Sequence, residues 1–201
     1  MADYTLFFNP MSRALIAQWA FAEVGVEPEL SLVTWEDKPA ALLEVNPMGK
    51  VPTIIHHTAS GERVVTECAA ICHYLGEMEA PDLLPREEEK ADYFRWLFFA
   101  AGPVETAVTN KAMGWEPKDE KQEMTVGFGN YDRVVDTLDK WLTAHDFVCG
   151  DRFTMADVYV GSQVDWGLNF GTLTDRPSFR AYQSRLQGRD AYKATLGAIG
   201  G

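Results

Sequence analysis

Apolar positions in this chain form short β-prone runs in the first eighty residues and longer runs with helical spacing after them. Tyr4 to Phe8 is a short aromatic run, and Asn9-Pro10 breaks it. Ser12 stands where a helix can be capped. Ala14, Leu15, Ala17, Gln18, Trp19, Phe21 and Ala22 continue the helical pattern to a stop at Gly25. Glu29 to Val33 reads as a second strand and Pro39 to Glu44 as a short helix. Two further apolar runs, Val51 to Ile55 and Arg63 to Thr66, flank a turn at Ser60-Gly61, which is a hairpin pattern. A proline opens the first of them, a place where a strand tolerates one. Thr66-Glu67 then leads into a helix with Ala70, Ile71, Tyr74 and Leu75 on one face.

The order β-α-β-α-β-β-α is a thioredoxin-like arrangement. Two prolines between Pro81 and Pro85 interrupt it, and strand signals vanish from Arg86 onward. Glu87 to Ala101 is helical and aromatic-rich, ending near Gly102-Pro103. Glu120 to Ala144, Thr154 to Phe170 and Ser178 to Leu186 are further helical segments. The expected fold class is therefore α/β followed by all-α. It comprises a thioredoxin-like domain over residues 1–80, a linker over 81–86 and a helical-bundle domain over 87–201. Thr154 and Asp157 form T-x-x-D, a variant of the capping box. Their role is structural, and Asp157 is excluded from catalysis.

Composition narrows the partners. The formal net charge is −12, and residues 1–80 hold 4 basic against 11 acidic residues. The remainder, with 14 basic and 19 acidic residues, offers no basic footprint either, so neither nucleic acid nor a membrane surface is expected as a partner. Three cysteines without an even framework argue for a reducing compartment. The N-terminus lacks a charged n-region, and no segment approaches the roughly 20 apolar residues needed to cross a bilayer. The expected location is the cytoplasm.

The first strand-to-helix turn, Asn9-Pro10-Met11-Ser12-Arg13, carries the first candidate chemistry. Redox proteins of thioredoxin-like architecture place a cysteine in this turn, and this chain has none there. It offers Ser12, whose hydroxyl can donate to a bound thiolate and so lower the thiol pKa. On the motif alone, Ser12 is equally well placed to be a plain N-cap. Tyr4, at the far end of the strand, is a poor second hydroxyl. Glu67 and Cys68 open the third helix, where N–H groups form a site for a carboxylate and an acid can receive an ammonium. Cys72 lies one turn after Cys68 and reads as core filler. His56 and His57 point to opposite faces of a strand, and no histidine has partners at metal spacing, so no metal is expected.

The stretch N-P-M-G-K-V-P, followed by a hairpin, T-E and an amphipathic helix, resembles the glutathione-binding domain of cytosolic glutathione transferases. The resemblance extends over nearly the whole chain. It implies a bacterial-type transferase with a serine-type active site, of unresolved class, working in detoxification with glutathione as co-substrate and no metal. Ser12 matches the catalytic serine of that family. Val51, before a cis Pro52, matches the residue whose backbone pairs with the glutathione cysteine. Glu67 and Cys68 match the γ-glutamyl contacts, although Cys68 replaces the usual serine. Lys50 can reach the glycine carboxylate or stand as a solvated lysine, with Trp35 and Lys38 in the loop across the site. Met11, Phe98 and Trp115 are candidates to line a second-substrate pocket between the domains, holding a small apolar electrophile. A homodimer is implied. The alternatives are a non-catalytic binding or interaction protein of the same fold, or a glutathione-dependent isomerase or reductive-cleavage enzyme.

Overall fold

The computed structural model describes residues 3–199. The chain forms two compact units. The first runs to Leu84 and takes in the chain from Arg189 onward; the second is Pro85–Gly188. The helical stretch after Gly188 is thus grouped with the sheet rather than with the helices that precede it.

In the first unit the elements are β1 (Tyr4–Phe8), α1 (Ala14–Val24), β2 (Glu29–Leu32), α2 (Ala40–Val45), β3 (Thr53–Thr58), β4 (Gly61–Thr66) and α3 (Cys68–Glu79). Among the described residues the sheet has four strands in the order β2-β1-β3-β4. β1 pairs parallel with β2 and antiparallel with β3, and β3 pairs antiparallel with β4. Alternate residues of each strand serve opposite faces. Leu6 and Ile54, both fully buried, belong to one face. Phe7 and Ile55 belong to the other, where they cluster with Val33 and with Leu42 of α2.

Two local expectations shift. β3 begins at Thr53, not Val51, because Pro52 has no N–H to give to the ladder and the preceding residues are committed to a turn. The strand continues through both histidines to Thr58. The buried side of α3 is Cys68, Ala69, Ile71, Cys72, Leu75 and Gly76, while Ala70 is exposed. Small residues at 68, 69, 72 and 76 let this helix lie close to α1, and that contact sets its rotation.

The second unit contains α4 (Lys90–Phe99), α5 (Glu105–Met113), α6 (Glu120–Thr125), α7 (Tyr131–Ala144), α8 (Met155–Asn169) and α9 (Pro177–Gln187). Helix α4 does not stop at Gly102-Pro103. A π-helical turn over Ala100–Val104 carries it into α5, and the wider turn absorbs the missing N–H of Pro103. The segment expected over Glu120 to Ala144 divides in two. Gly129 adopts a φ of 70°, and Asn130 caps α7 by accepting the Arg133 N–H at 2.9 Å. Helix α8 is buried over nearly its whole length. Thr154 and Asp157 cap it in a capping box. The Asp157 carboxylate also accepts from the Val148 N–H at 2.9 Å and from the Tyr182 hydroxyl at 2.8 Å. Among the described residues, no helix is long and apolar enough to cross a membrane.

The chain then returns to the first unit as α10 (Asp190–Ala194) and α11 (Leu196–Ile199). Arg189 donates to both oxygens of Glu23, at 2.7 and 2.6 Å, and the Trp19 indole N–H donates to the same carboxylate at 2.8 Å. The Glu23 side chain is only 4% exposed. Removing one member of a buried, hydrogen-bonded ion pair strands the other charge. Arg189→Ala should therefore lower stability by about 3 kcal/mol in urea unfolding. Arg180→Ala, which breaks an exposed pair with Asp175, should change it far less. Equal and small losses would contradict a docking role for Arg189.

Candidate active site

Strand register builds the site. Thr53, fully buried at the start of β3, pairs with Phe7 of β1 on one side and with Thr66 of β4 on the other. The end of β1, the start of β3 and the end of β4 therefore lie side by side. The first turn, the Val51–Pro52 peptide and the start of α3 all emerge at this one end of the sheet.

The approach to β3 is a turn built around Asn46. Its Nδ2 donates to Lys50 O at 3.1 Å and to Thr53 Oγ1 at 2.9 Å, and its Oδ1 accepts the Met48 N–H at 3.2 Å. The Thr53 hydroxyl donates to Lys50 O at 2.9 Å. Gly49 has a φ of 59°, and a Cβ there would meet Leu43 Cδ2 at 3.0 Å and Lys38 Nζ at 3.2 Å. Lys38 thus lies across Gly49, while Lys50 and Trp35 are exposed. The Val51–Pro52 peptide is cis.

The first turn is organised by Asn9. Its Oδ1 accepts the Met11 N–H at 2.8 Å, an Asx turn, and its Nδ2 donates to Val33 O at 2.7 Å. Ser12, 8% exposed, donates its hydroxyl to Asn9 O at 2.7 Å and accepts the Ala14 N–H at 3.1 Å. In this geometry its hydrogen rests on a backbone carbonyl. The Cys68 thiol donates to Arg13 O at 3.7 Å and so joins the start of α3 to the same turn.

Glu67, immediately before α3, has a φ of 67° and ψ of 118°, a conformation side chains resist. Cys72, fully buried, has its thiol pushed well above the ordinary range by burial, which makes it inert core filler. Tyr4 is buried at the other end of β1. Its hydroxyl donates to Glu79 at 2.5 Å and its ring stacks on His56 at 4.2 Å. Burial and the Glu79 hydrogen bond both drive its pKa upward. His56 faces Tyr74, and His57 lies between Thr5 and Glu62. Among the described residues no group of three or more His, Cys, Asp or Glu could hold a metal ion.

The register thus places Ser12, Lys50, Val51, Glu67 and Cys68 around one end of one sheet. Met11, at 78% exposure, lies on the first unit; Phe98 at 65% and Trp115 at 63% lie on the second. Asn9, Asn46 and Thr53 were not singled out from the sequence. For the two asparagines the signal is the repeated tripeptide Asn-Pro-Met at 9–11 and 46–48, each copy forming an Asx turn. A cavity of about 210 Å³ in the second unit, where Lys111 lies over the Tyr131 ring at 3.6 Å, involves none of these residues.

The chain belongs to the glutathione S-transferase family. Residues 11–78 match the family's N-terminal domain and residues 100–190 its C-terminal domain. It is 28% identical to glutathione S-transferase A of Pleuronectes platessa over 177 residues, which is 83% of this chain and 76% of that one. Among solved structures it is similar to a glutathione transferase from Methylococcus capsulatus, with 26% identity, a TM-score of 0.75 and 98% of each chain covered. It is also similar to a sphingomonad glutathione S-transferase complexed with glutathione, with 26% identity, a TM-score of 0.74 and 98% of each chain covered.

The backbone at Glu67 supplies a direct test of site strain. Glycine removes only the part of the cost that the Cβ causes, because a ψ of 118° lies outside both the left-handed and the mirror-β regions. Glu67→Gly should therefore leave stability unchanged or raise it by up to about 1 kcal/mol in urea unfolding, after allowing for the greater freedom of glycine in the unfolded chain. A clear loss of stability would contradict strain at this position.

Proposed function

We propose that this chain is a serine-type glutathione transferase. The observation that supports this is that the sheet register brings the first turn, the cis Val51–Pro52 peptide and the start of α3 to one end of the sheet. Support comes from the sphingomonad relative, which holds glutathione. The γ-glutamyl carboxylate lies against the N–H groups that open α3, beside Cys68, and Glu67 receives the ammonium. The backbone of Val51 pairs with the cysteinyl residue, and Lys50 meets the glycine carboxylate. The thiol gives its proton to water. Its sulfur then forms a bond to an electrophilic carbon of a small apolar substrate, and a leaving group such as halide departs with its electron pair. Ser12 donates to the sulfur once it is charged, which favours the thiolate. Cys68 acts as a ligand contact, a weaker donor than the serine it replaces. All three cysteines are free, which fits the reducing compartment expected for this function.

One observation favours a second reading, a non-catalytic binding protein: the Ser12 hydrogen is held by Asn9 O. Ser12→Ala separates the two. The transferase reading expects turnover of an aryl halide to fall by an amount equivalent to about 2–4 kcal/mol of transition-state stabilisation, with little change in glutathione affinity. The pH profile should also shift upward, towards the free-thiol value of about 8.5. Unchanged turnover and an unchanged profile would remove Ser12 from the mechanism. Retention on immobilised glutathione without turnover by the unaltered protein would favour the binding reading.

A homodimer is part of the proposal. Two-fold dimers are the commonest soluble oligomers. Helix α4 exposes Phe94 and Phe98, whose rings stack at 6.3 Å. Light scattering at micromolar concentration should give twice the chain mass, and a particle of 22.5 kDa would contradict it.

A further inference from the structure

The two Asn-Pro-Met turns share an Asx turn and differ in what their backbone carbonyls accept: the Gly49 N–H at Asn46, the Ser12 hydroxyl at Asn9. Both asparagines are buried, at 8% and 7% exposure, and both are held through their amide oxygen and nitrogen. Only Asn9 also presents its own backbone carbonyl to a side-chain hydroxyl, that of Ser12 at 2.7 Å. The side chain of Asn9 ties the turn to Val33 beyond β2, and Pro10 restricts the backbone of the residue before it. The direction of the Asn9 carbonyl is therefore fixed from two sides. The Ala14 N–H holds the Ser12 oxygen at 3.1 Å, so its hydrogen can turn about the Cβ–Oγ bond while the oxygen stays in place.

We propose that Asn9 is the positioning residue for Ser12. It fixes where the hydroxyl oxygen sits and offers a neutral carbonyl as the alternative partner for its hydrogen. A neutral thiol is a weak acceptor and does not displace that carbonyl; a thiolate is a strong one and does. The serine hydrogen bond is then made selectively to the ionised ligand, which lowers the thiol pKa without tightening binding of the neutral form. The inference rests on the catalytic reading of Ser12. The charged and titratable residues at this end of the sheet are Arg13, next in the turn, Lys38, across Gly49, Lys50, before the cis peptide, and Glu67 and Cys68, at the start of α3. All of them are kept in every variant, so a pKa shift on changing Asn9 does not arise from a lost charge.

The test is a double-mutant cycle on the full chain with glutathione bound. The thiolate ultraviolet band, followed against pH, gives the pKa of the bound thiol and needs no electrophile. Conjugation of an aryl halide gives kcat and the KM for glutathione. Asn9→Ala should raise the bound-thiol pKa by about one unit and lower kcat at neutral pH about tenfold. The KM for glutathione should stay within about twofold. Asn9→Ser, which keeps an acceptor for the Met11 N–H, should recover part of the shift, and it carries the comparison if Asn9→Ala does not fold. In a Ser12→Ala background neither Asn9 variant should move the pKa further. Asn46→Ala, an equally buried loss at the other turn, should raise KM and leave the thiol pKa in place. An Asn9 effect of equal size in both backgrounds, an effect on KM alone, or the same pKa shift from Asn46→Ala would overturn the proposal. If Ser12→Ala alone leaves the thiol pKa unchanged, the catalytic reading of Ser12 fails first, and that result is distinct from a failure of Asn9.

Discussion

The pairing of Thr53 with Phe7 on one side and Thr66 on the other is the constraint from which the site follows. A slip of one residue in either pairing would turn Leu6 and Ile54 to the face now occupied by Phe7 and Ile55. Both faces of this sheet are buried around these residues, one towards α1 and α3 and one around Leu42, so neither slip is tolerated. The Thr53 hydroxyl, held between Lys50 O and Asn46, carries the same register into the turn that precedes the strand. Three segments distant in sequence are thereby brought together by hydrophobic pattern and backbone hydrogen bonds, and the Cys68 thiol adds one link between the first turn and α3.

Around this sheet end the donors and acceptors are largely backbone groups, arranged by buried asparagines. That suits a chain whose net charge of −12 gives no general attraction for an anionic ligand. In the proposed function, local groups supply what the overall field does not: the opening N–H groups of α3, Lys50, and the Ser12 hydroxyl. The strained backbone at Glu67 sits at the same end of the sheet, where a costly conformation is consistent with a role in holding a ligand.

Much of this was legible in the sequence. The β-α-β-α-β-β-α order, the hairpin, the stop at Gly25 and the capping box of Thr154 and Asp157 rest on local signals, and local signals read well. The rotation of α3 did not. Ala70 and Tyr74 fit the helical period, but the contact with α1 selects the side lined with small residues. The passage of the helix through Pro103 depends on a π turn that no propensity announces. The return of the chain to Glu23 through Arg189 spans most of the sequence, and no local pattern encodes it. At the site, the serine stood out by its position. The asparagine that holds it did not, because Asn-Pro reads first as a chain break.

The most direct test of the central claim is a crystal structure of the protein with glutathione. The account predicts the γ-glutamyl carboxylate at the start of α3, the cysteinyl backbone against Val51, and the sulfur within hydrogen-bond distance of Ser12 Oγ. Glutathione bound elsewhere, or a sulfur turned away from Ser12 while the rest of the ligand fills this site, would contradict it.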